Sequence, residues 1–209
     1  MTVDTQQPTL RDRLLDAGRS VFADVGYAAA TVDDIIDRAA ASRATFYRYF
    51  KSKEDLFWVL TGSCFADLKT VIGELRTVDA GPDGRRALEE LFARFGEVFA
   101  RHGGVIRAYF ERRVEPDSPL QAEAANVLGS FVEAVAASIK ENAAPSAVDP
   151  ELQAAMLFLL LSRSFEYATS RYSTIDPGRL PSTLAAMVHR AYYGATPEAP
   201  TTRLRVGRR

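Results

Sequence analysis

The chain has 209 residues, 47% of them hydrophobic and 25% charged, which excludes wholesale disorder and fibrous repeats and leaves room for one or two packed domains. A net charge of −1 excludes a protein that coats nucleic acid indiscriminately, so any affinity for phosphate has to come from a local patch. One cysteine, Cys64, no cationic-then-apolar leader, and a longest apolar run of only residues 154–161 predict a cytoplasmic protein without internal disulfide, secretion signal or membrane span.

The first helix starts at a capping box, Thr9 with Asp12 three positions on. Leu14, Gly18, Val21, Phe22 and Val25 follow the spacing of one helical face and predict its buried stripe, with Gly26 as a left-handed C-cap. A second box, Thr31 with Asp34, opens a helix of about two turns that buries Val32, Ile35, Ile36 and Ala39. After a break at Ala40 and Ala41, Ser42 is the N-cap of a third short helix with Phe46 and Phe50 inward and Arg43, Thr45, Tyr47, Arg48 and Tyr49 outward. Ser52 with Asp55 starts a long fourth helix ending near Val78.

Beyond it the punctuation predicts helices over residues 83–101, stopped by His102-Gly103-Gly104, and 105–114, stopped by Pro116. Three more start at Ser118-Pro119, Asp149-Pro150 and Asp176-Pro177, each a cap followed by proline in the first turn. No strand pattern interrupts them. The expected architecture is all-α, with about nine helices: a three-helix helix-turn-helix head over residues 9–54, a larger helical-bundle domain over 55–194, and a disordered basic tail over 195–209.

From Arg38 to Lys53 the chain carries Arg38, Arg43, Arg48, Lys51 and Lys53 and no carboxylate. Two short helices joined by a tight turn, the second presenting cations and hydroxyls outward, is the arrangement that places a helix in a major groove. Arg43 and Thr45 project from its first turn toward base edges, Tyr47 and Tyr49 suit phosphate oxygens, and Lys53 suits a flanking phosphate. The same stretch, Thr31 to Ile35 and Ala39 to Leu56, resembles the DNA-binding signature of the TetR family of transcriptional regulators. The resemblance covers about Leu10 to Leu60; residues 179–194 further resemble the ethionamide-resistance regulators of actinobacteria.

The resemblance implies that Thr31, Ser42, Arg43, Thr45, Tyr47, Tyr49 and Lys53 face double-stranded operator DNA. It also implies a repressor released from a palindrome by a small, largely apolar effector, a homodimer formed as a four-helix bundle, and two heads about 34–36 Å apart. The family usually has glycine then valine at the turn, where this chain has Ala40 and Ala41, and Asp33 stands where a cation would help; Asp33 is read as serving the N-terminus of the second helix.

Effector pockets are lined chiefly by apolar and aromatic groups, which selects Phe95, Phe99, Phe110, Phe131, Met156 and Phe165 as pocket candidates against a plain core reading. In the last helix Leu180, Leu184, Met187, Val188 and Tyr192 share a face and are the expected dimer interface, and residues 156–161 are apolar nearly all round. Arg163 and Glu166 are spaced to pair. Asp33-Asp34-Ile35-Ile36-Asp37 matches the spacing with which terpenoid synthases hold magnesium and diphosphate, but no second metal motif accompanies it. His102 and His189 are isolated, so no catalytic residue, metal ligand or cofactor is assigned and the chain is not read as an enzyme. The alternatives are a helical protein-interaction dimer without DNA binding and a metal-dependent helical enzyme.

Overall fold

The computed structural model describes residues 9–75, 78, 81–112, 118–142, 148–170 and 173–194; the expected tail at 195–209, and Val114 and Pro116, lie outside them. Among these residues there are eight α-helices and no strand: α1 (Leu10–Ala29), α2 (Val32–Arg38), α3 (Arg43–Tyr49), α4 (Lys53–Gly73), α5 (Pro82–Glu111), α6 (Pro119–Asn142), α7 (Pro150–Ala168) and α8 (Leu180–Tyr192), with a 3-10 turn, Pro177–Arg179, leading into α8.

Side-chain caps place most of the starts. Thr9 Oγ1 accepts from the Asp12 N–H at 3.2 Å while the Asp12 carboxylate accepts from the Thr9 N–H at 3.1 Å, so two otherwise orphaned donors are satisfied reciprocally. Thr31 and Asp34 repeat this at 3.1 and 2.8 Å. Ser52 caps α4 through the Asp55 N–H, but the Asp55 carboxylate takes the Lys51 N–H instead of closing the box. Ser118 accepts from the Gln121 N–H, and Asp149 accepts from the N–H groups of Glu151 and Leu152.

Three stops differ from expectation. Gly26 has φ +78° and ψ 162°, so it kinks α1 instead of ending it; one further turn runs to Ala29, and Val25, next to the kink, is exposed and outside the stripe. α4 ends at Gly73, and Val78 is buried in the body, its N–H donating to Ser138 Oγ at 3.2 Å. α5 runs unbroken through His102-Gly103-Gly104, which is why there are eight helices and not about nine. A Cβ at Gly104 would lie 2.4 Å from the Ala23 backbone nitrogen. Glycine here permits backbone contact between α5 and α1; it does not stop the helix.

Two apolar clusters result. The first joins Leu14 and Phe22 of α1, Ile35 of α2, Phe46 and Phe50 of the α3 region, and Leu56, Phe57 and Leu60 of α4, closed by Val105 and Ala108 of α5. The second is built on α4 through α8 around Phe92, Phe95, Phe131, Leu157 and Phe165. At about 1.5–3 kcal/mol for each large side chain buried, these clusters outweigh the caps, each worth about 1 kcal/mol. The head cluster takes in the first two turns of α4 and the last two turns of α5, so head and body share helices. α4 and α6 each have the length and composition of a membrane-crossing helix, which the count of consecutive apolar residues did not show. Their apolar faces pack within the helical body.

Candidate nucleic-acid interface and effector cavity

The turn between α2 and α3 is made without glycine. Ala40 adopts φ +48°, the Ala40 N–H donates to Asp37 O at 3.2 Å and the Ala41 N–H to Ile36 O at 2.9 Å. These are the paired bonds of a Schellman ending, and they offset the roughly 1 kcal/mol that alanine costs relative to glycine in this conformation. Ser42 Oγ then accepts from the Thr45 N–H at 3.1 Å. Phe46 and Phe50 are buried with ring centroids 5.7 Å apart, which fixes the rotation of α3 and turns Arg43, Tyr47, Arg48 and Tyr49 to solvent, with Thr45 half-buried beside them.

Several of these side chains already have partners. Arg43 Nη2 lies 2.5 Å from both carboxylate oxygens of Asp33; Asp33, besides sitting in the first turn of α2, holds the guanidinium that sequence reasoning aimed at a base. Thr31 Oγ1 donates to Asp34 Oδ2 at 2.6 Å within its box. The Arg48 guanidinium lies 5.0 Å from the Tyr49 ring centroid. Lys53 does not stand free on the flank: its ammonium donates to Tyr27 O at 2.7 Å and Ala30 O at 2.6 Å, and lies 4.4 Å from the Tyr27 ring centroid. Burial, with Arg112 nearby, lowers its pKa below the ordinary lysine value. It therefore closes the carbonyl end of α1.

Arg112, at the end of α5, was not singled out from sequence. Its guanidinium lies 4.6 Å from the Tyr27 ring, 5.0 Å from Trp58 and 5.5 Å from Phe57, and pairs with Glu54 at 2.6 Å. This joins the end of α5 to the start of α4, directly behind the head. A second joint is His102, fully buried, whose Nε2 lies 2.9 Å from Asp67 Oδ2.

In the body, a cavity of about 640 Å³ opens between α4, α5, α6 and α7, walled by Phe65, Leu68, Ile106, Tyr109, Val127 and Phe158 among others. Its polar groups are few: Thr61, Gln121, Ser162 and Arg163, with Tyr109 donating to Gln121 Oε1 at 3.0 Å. Cys64 also faces it, and burial pushes this thiol's pKa up to about 12. Of the six pocket candidates, Phe99 and Phe110 line this cavity. Phe95, Phe131 and Phe165 do not: they pack with Phe99 and Phe158 into an aromatic cluster, with centroids 5.2–6.3 Å apart, that fills the adjoining core. Met156 is 60% exposed on the outer face of α7.

The expected dimer face is divided in the same way. Leu180, Leu184 and Val188 are buried in the chain's own body cluster, and Tyr192 is half-buried with its hydroxyl donating to Gln153 O at 3.0 Å; Met187 alone of the five stands clear of the core, 57% exposed. On α7, Leu152, Met156, Leu159, Leu160 and Tyr167 are also exposed. That stripe was legible as the helix apolar on all sides; which of its faces is covered was not. Arg163 and Glu166 form the expected ion pair at its edge. The three aspartates at 33, 34 and 37 do not converge: Asp33 holds Arg43 and Asp34 caps α2, and among the described residues no three such groups are placed to hold a metal ion.

Comparison with known proteins agrees with this geometry. Residues 14–58 match the model of the bacterial regulatory proteins of the tetR family. The chain is 36% identical over 88 residues to the transcriptional activator FasR of Mycolicibacterium smegmatis, covering 42% of this chain and 40% of FasR. It is 31% identical over 97 residues to the transcriptional repressor DhaR of a Mycobacterium species, covering 46% and 48%. The match thus spans less than half the length of either relative. Among solved structures, the regulator FadR of Bacillus subtilis in complex with stearoyl-CoA superposes with a TM-score of 0.58 at 18% identity, over 88% of this chain and 98% of that one, a likeness of fold. Over residues 14–58, the chain is thus similar to the tetR family of bacterial regulatory proteins.

Proposed function

We propose that the chain is a homodimeric transcriptional regulator that binds a palindromic operator through α3 and leaves it when a small, largely apolar molecule occupies the body. The observation that carries the reading is the head: α3 is anchored by Phe46 and Phe50 and presents Ser42, Arg43, Tyr47, Arg48 and Tyr49 to solvent, as a recognition helix must. Arg43 and Thr45 take the base edges, Thr31, Ser42, Tyr47 and Tyr49 take phosphate oxygens, and Lys53 supports them from behind through the end of α1. Residues 9–54 act as the DNA-binding unit and 55–194 as the effector and dimer unit, with α4 belonging to both.

The cavity supports the effector: its volume lies within the roughly 300–1,000 Å³ of small-molecule sites, and its walls are apolar with a few polar groups. The stearoyl-CoA bound by B. subtilis FadR is a ligand of that chemical kind. The dimer is formed by the exposed stripe of α7 with Met187 of α8, since an apolar surface of this extent calls for a partner. Repression is the sense we adopt, in line with the name of DhaR. We place the protein in the cytoplasm with the DNA it binds and read it as a regulator and not an enzyme; of the aspartates at 33, 34 and 37, Asp33 pairs with Arg43 and Asp34 caps α2.

A mobility-shift assay with the DNA upstream of the protein's own coding region tests this. A discrete complex, weakened tenfold or more when a body ligand is bound (about 1–3 kcal/mol of coupling), is expected. Absence of any complex at low salt would instead favour a protein-interaction dimer, a reading to which the pairing of Arg43 with Asp33 lends some weight.

A further inference from the structure

A second cavity, about 430 Å³ and open to solvent, lies between α1, α5 and α7. Its wall includes Ala23, Arg101, Arg107, Arg163 and Glu166, and each of the three arginines has a carboxylate neighbour: Asp67, Glu111 and Glu166 in turn. It meets the apolar cavity at two side chains that line both, Phe99 and Arg163. Arg163 is at the junction, with its guanidinium 5.6 Å from the ring centroid of Phe110 on the apolar wall.

None of the three arginines is used up by its present contacts. Arg101 reaches Asp67 at 3.1 Å and Arg163 reaches Glu166, both pairs solvent-exposed on the arginine side. Arg107 donates to Phe22 O at 3.1 Å and Ala23 O at 2.8 Å, and its Nε lies 3.9 Å from the exposed Glu111 carboxylate. A guanidinium has five donors in a planar fork matched to carboxylate and phosphate oxygens, so each keeps donors for an incoming anion. Exposed ion pairs are also readily exchanged.

We infer that the two cavities form one bipartite site for an amphiphile, with its hydrocarbon part in the apolar cavity and an anionic head, carboxylate or phosphate, on Arg101, Arg107 and Arg163. The inference rests on the effector reading of the body and names the class of molecule it takes. The geometry that recognises it is the single step from an apolar wall to a basic one across Arg163. Because Ala23 belongs to α1 and Arg107 holds its carbonyls, the head group sits against the joint between head and body.

Calorimetric titration of the full chain with decanol, decanoate and decyl phosphate tests it. At least one anion should bind about tenfold or more tightly than the alcohol of equal chain length, and its affinity should fall with added salt while that of decanol does not. The preference should collapse in an Arg101→Gln/Arg163→Gln variant whose melting temperature matches the native protein. Equal binding of alcohol and anions, or a preference that survives in the variant, overturns the bipartite site and leaves the effector reading standing. No binding of any of the three overturns both.

Discussion

At the residue scale, His102 shows how a side chain of no obvious function takes part in the frame. It is fully buried, with Nε2 against Asp67 and Nδ1 without a hydrogen-bond partner. In the neutral ring Nε2–H donates to the carboxylate; protonation would add a second buried donor with nothing to receive it. Desolvation accordingly lowers its pKa below the ordinary 6.5, although Asp67 pulls the other way. For Asp67, burial pushes upward but the hydrogen bond and charge of His102 and the nearby Arg101 prevail, and its pKa is lowered. An imidazole that takes a proton less readily folded than unfolded contributes stability that is whole above about pH 6.5 and is lost as the pH falls through the folded value. Melting temperature should thus decline from pH 7 to 5, and less so in His102→Asn; parallel profiles for the two proteins would count against this joint. The sequence showed only an isolated histidine before two glycines, because its partner lies 35 residues away on another helix. The same limit applied to Lys53: its place in the signature was readable, but not the two carbonyls it closes.

At the element scale, helix starts were far more legible than helix stops. A start is written locally, by a hydroxyl or carboxylate and the N–H two or three positions on, as at Thr9, Thr31, Ser42, Ser118 and Asp149. A stop read from glycine is ambiguous, since glycine serves a turn and a close helix contact equally well. Gly103-Gly104 read as a stop and lies inside α5, where α1 crosses it. Gly104→Ala should therefore destabilise the protein despite alanine's helix propensity: the roughly 1 kcal/mol gained there is outweighed by overpacking against a backbone that cannot move aside, about 1–3 kcal/mol. Gly62→Ala, where nothing lies within 4 Å of the added atom, should be neutral or stabilising. Urea denaturation of both variants checks this, and equal midpoints would show that α1 and α5 do not touch as described.

At the scale of the whole molecule, the head and the all-α body were readable from periodicity and the signature, while the assignment of body surfaces was not. Period alone gives α7 and α8 apolar faces but does not say which of them the chain covers itself. α8 spends Leu180, Leu184 and Val188 inside the protomer, and α7 leaves Leu152, Met156 and Leu159 outside. If that stripe is the dimer contact, Leu159→Arg should give a folded monomer by sedimentation, whereas Leu184→Arg, which buries a charge, should unfold the chain; a dimeric Leu159→Arg would move the interface elsewhere. In the proposed function, such a dimer holds two heads on one palindrome and Arg43 is the side chain assigned to read sequence. The most direct test is the affinity of native protein and Arg43→Ala for the operator and for variants altered one base pair at a time, at fixed salt. A loss of about 1–3 kcal/mol with preference relaxed at one position in each half-site is the predicted result; unchanged affinity and unchanged preference would contradict it.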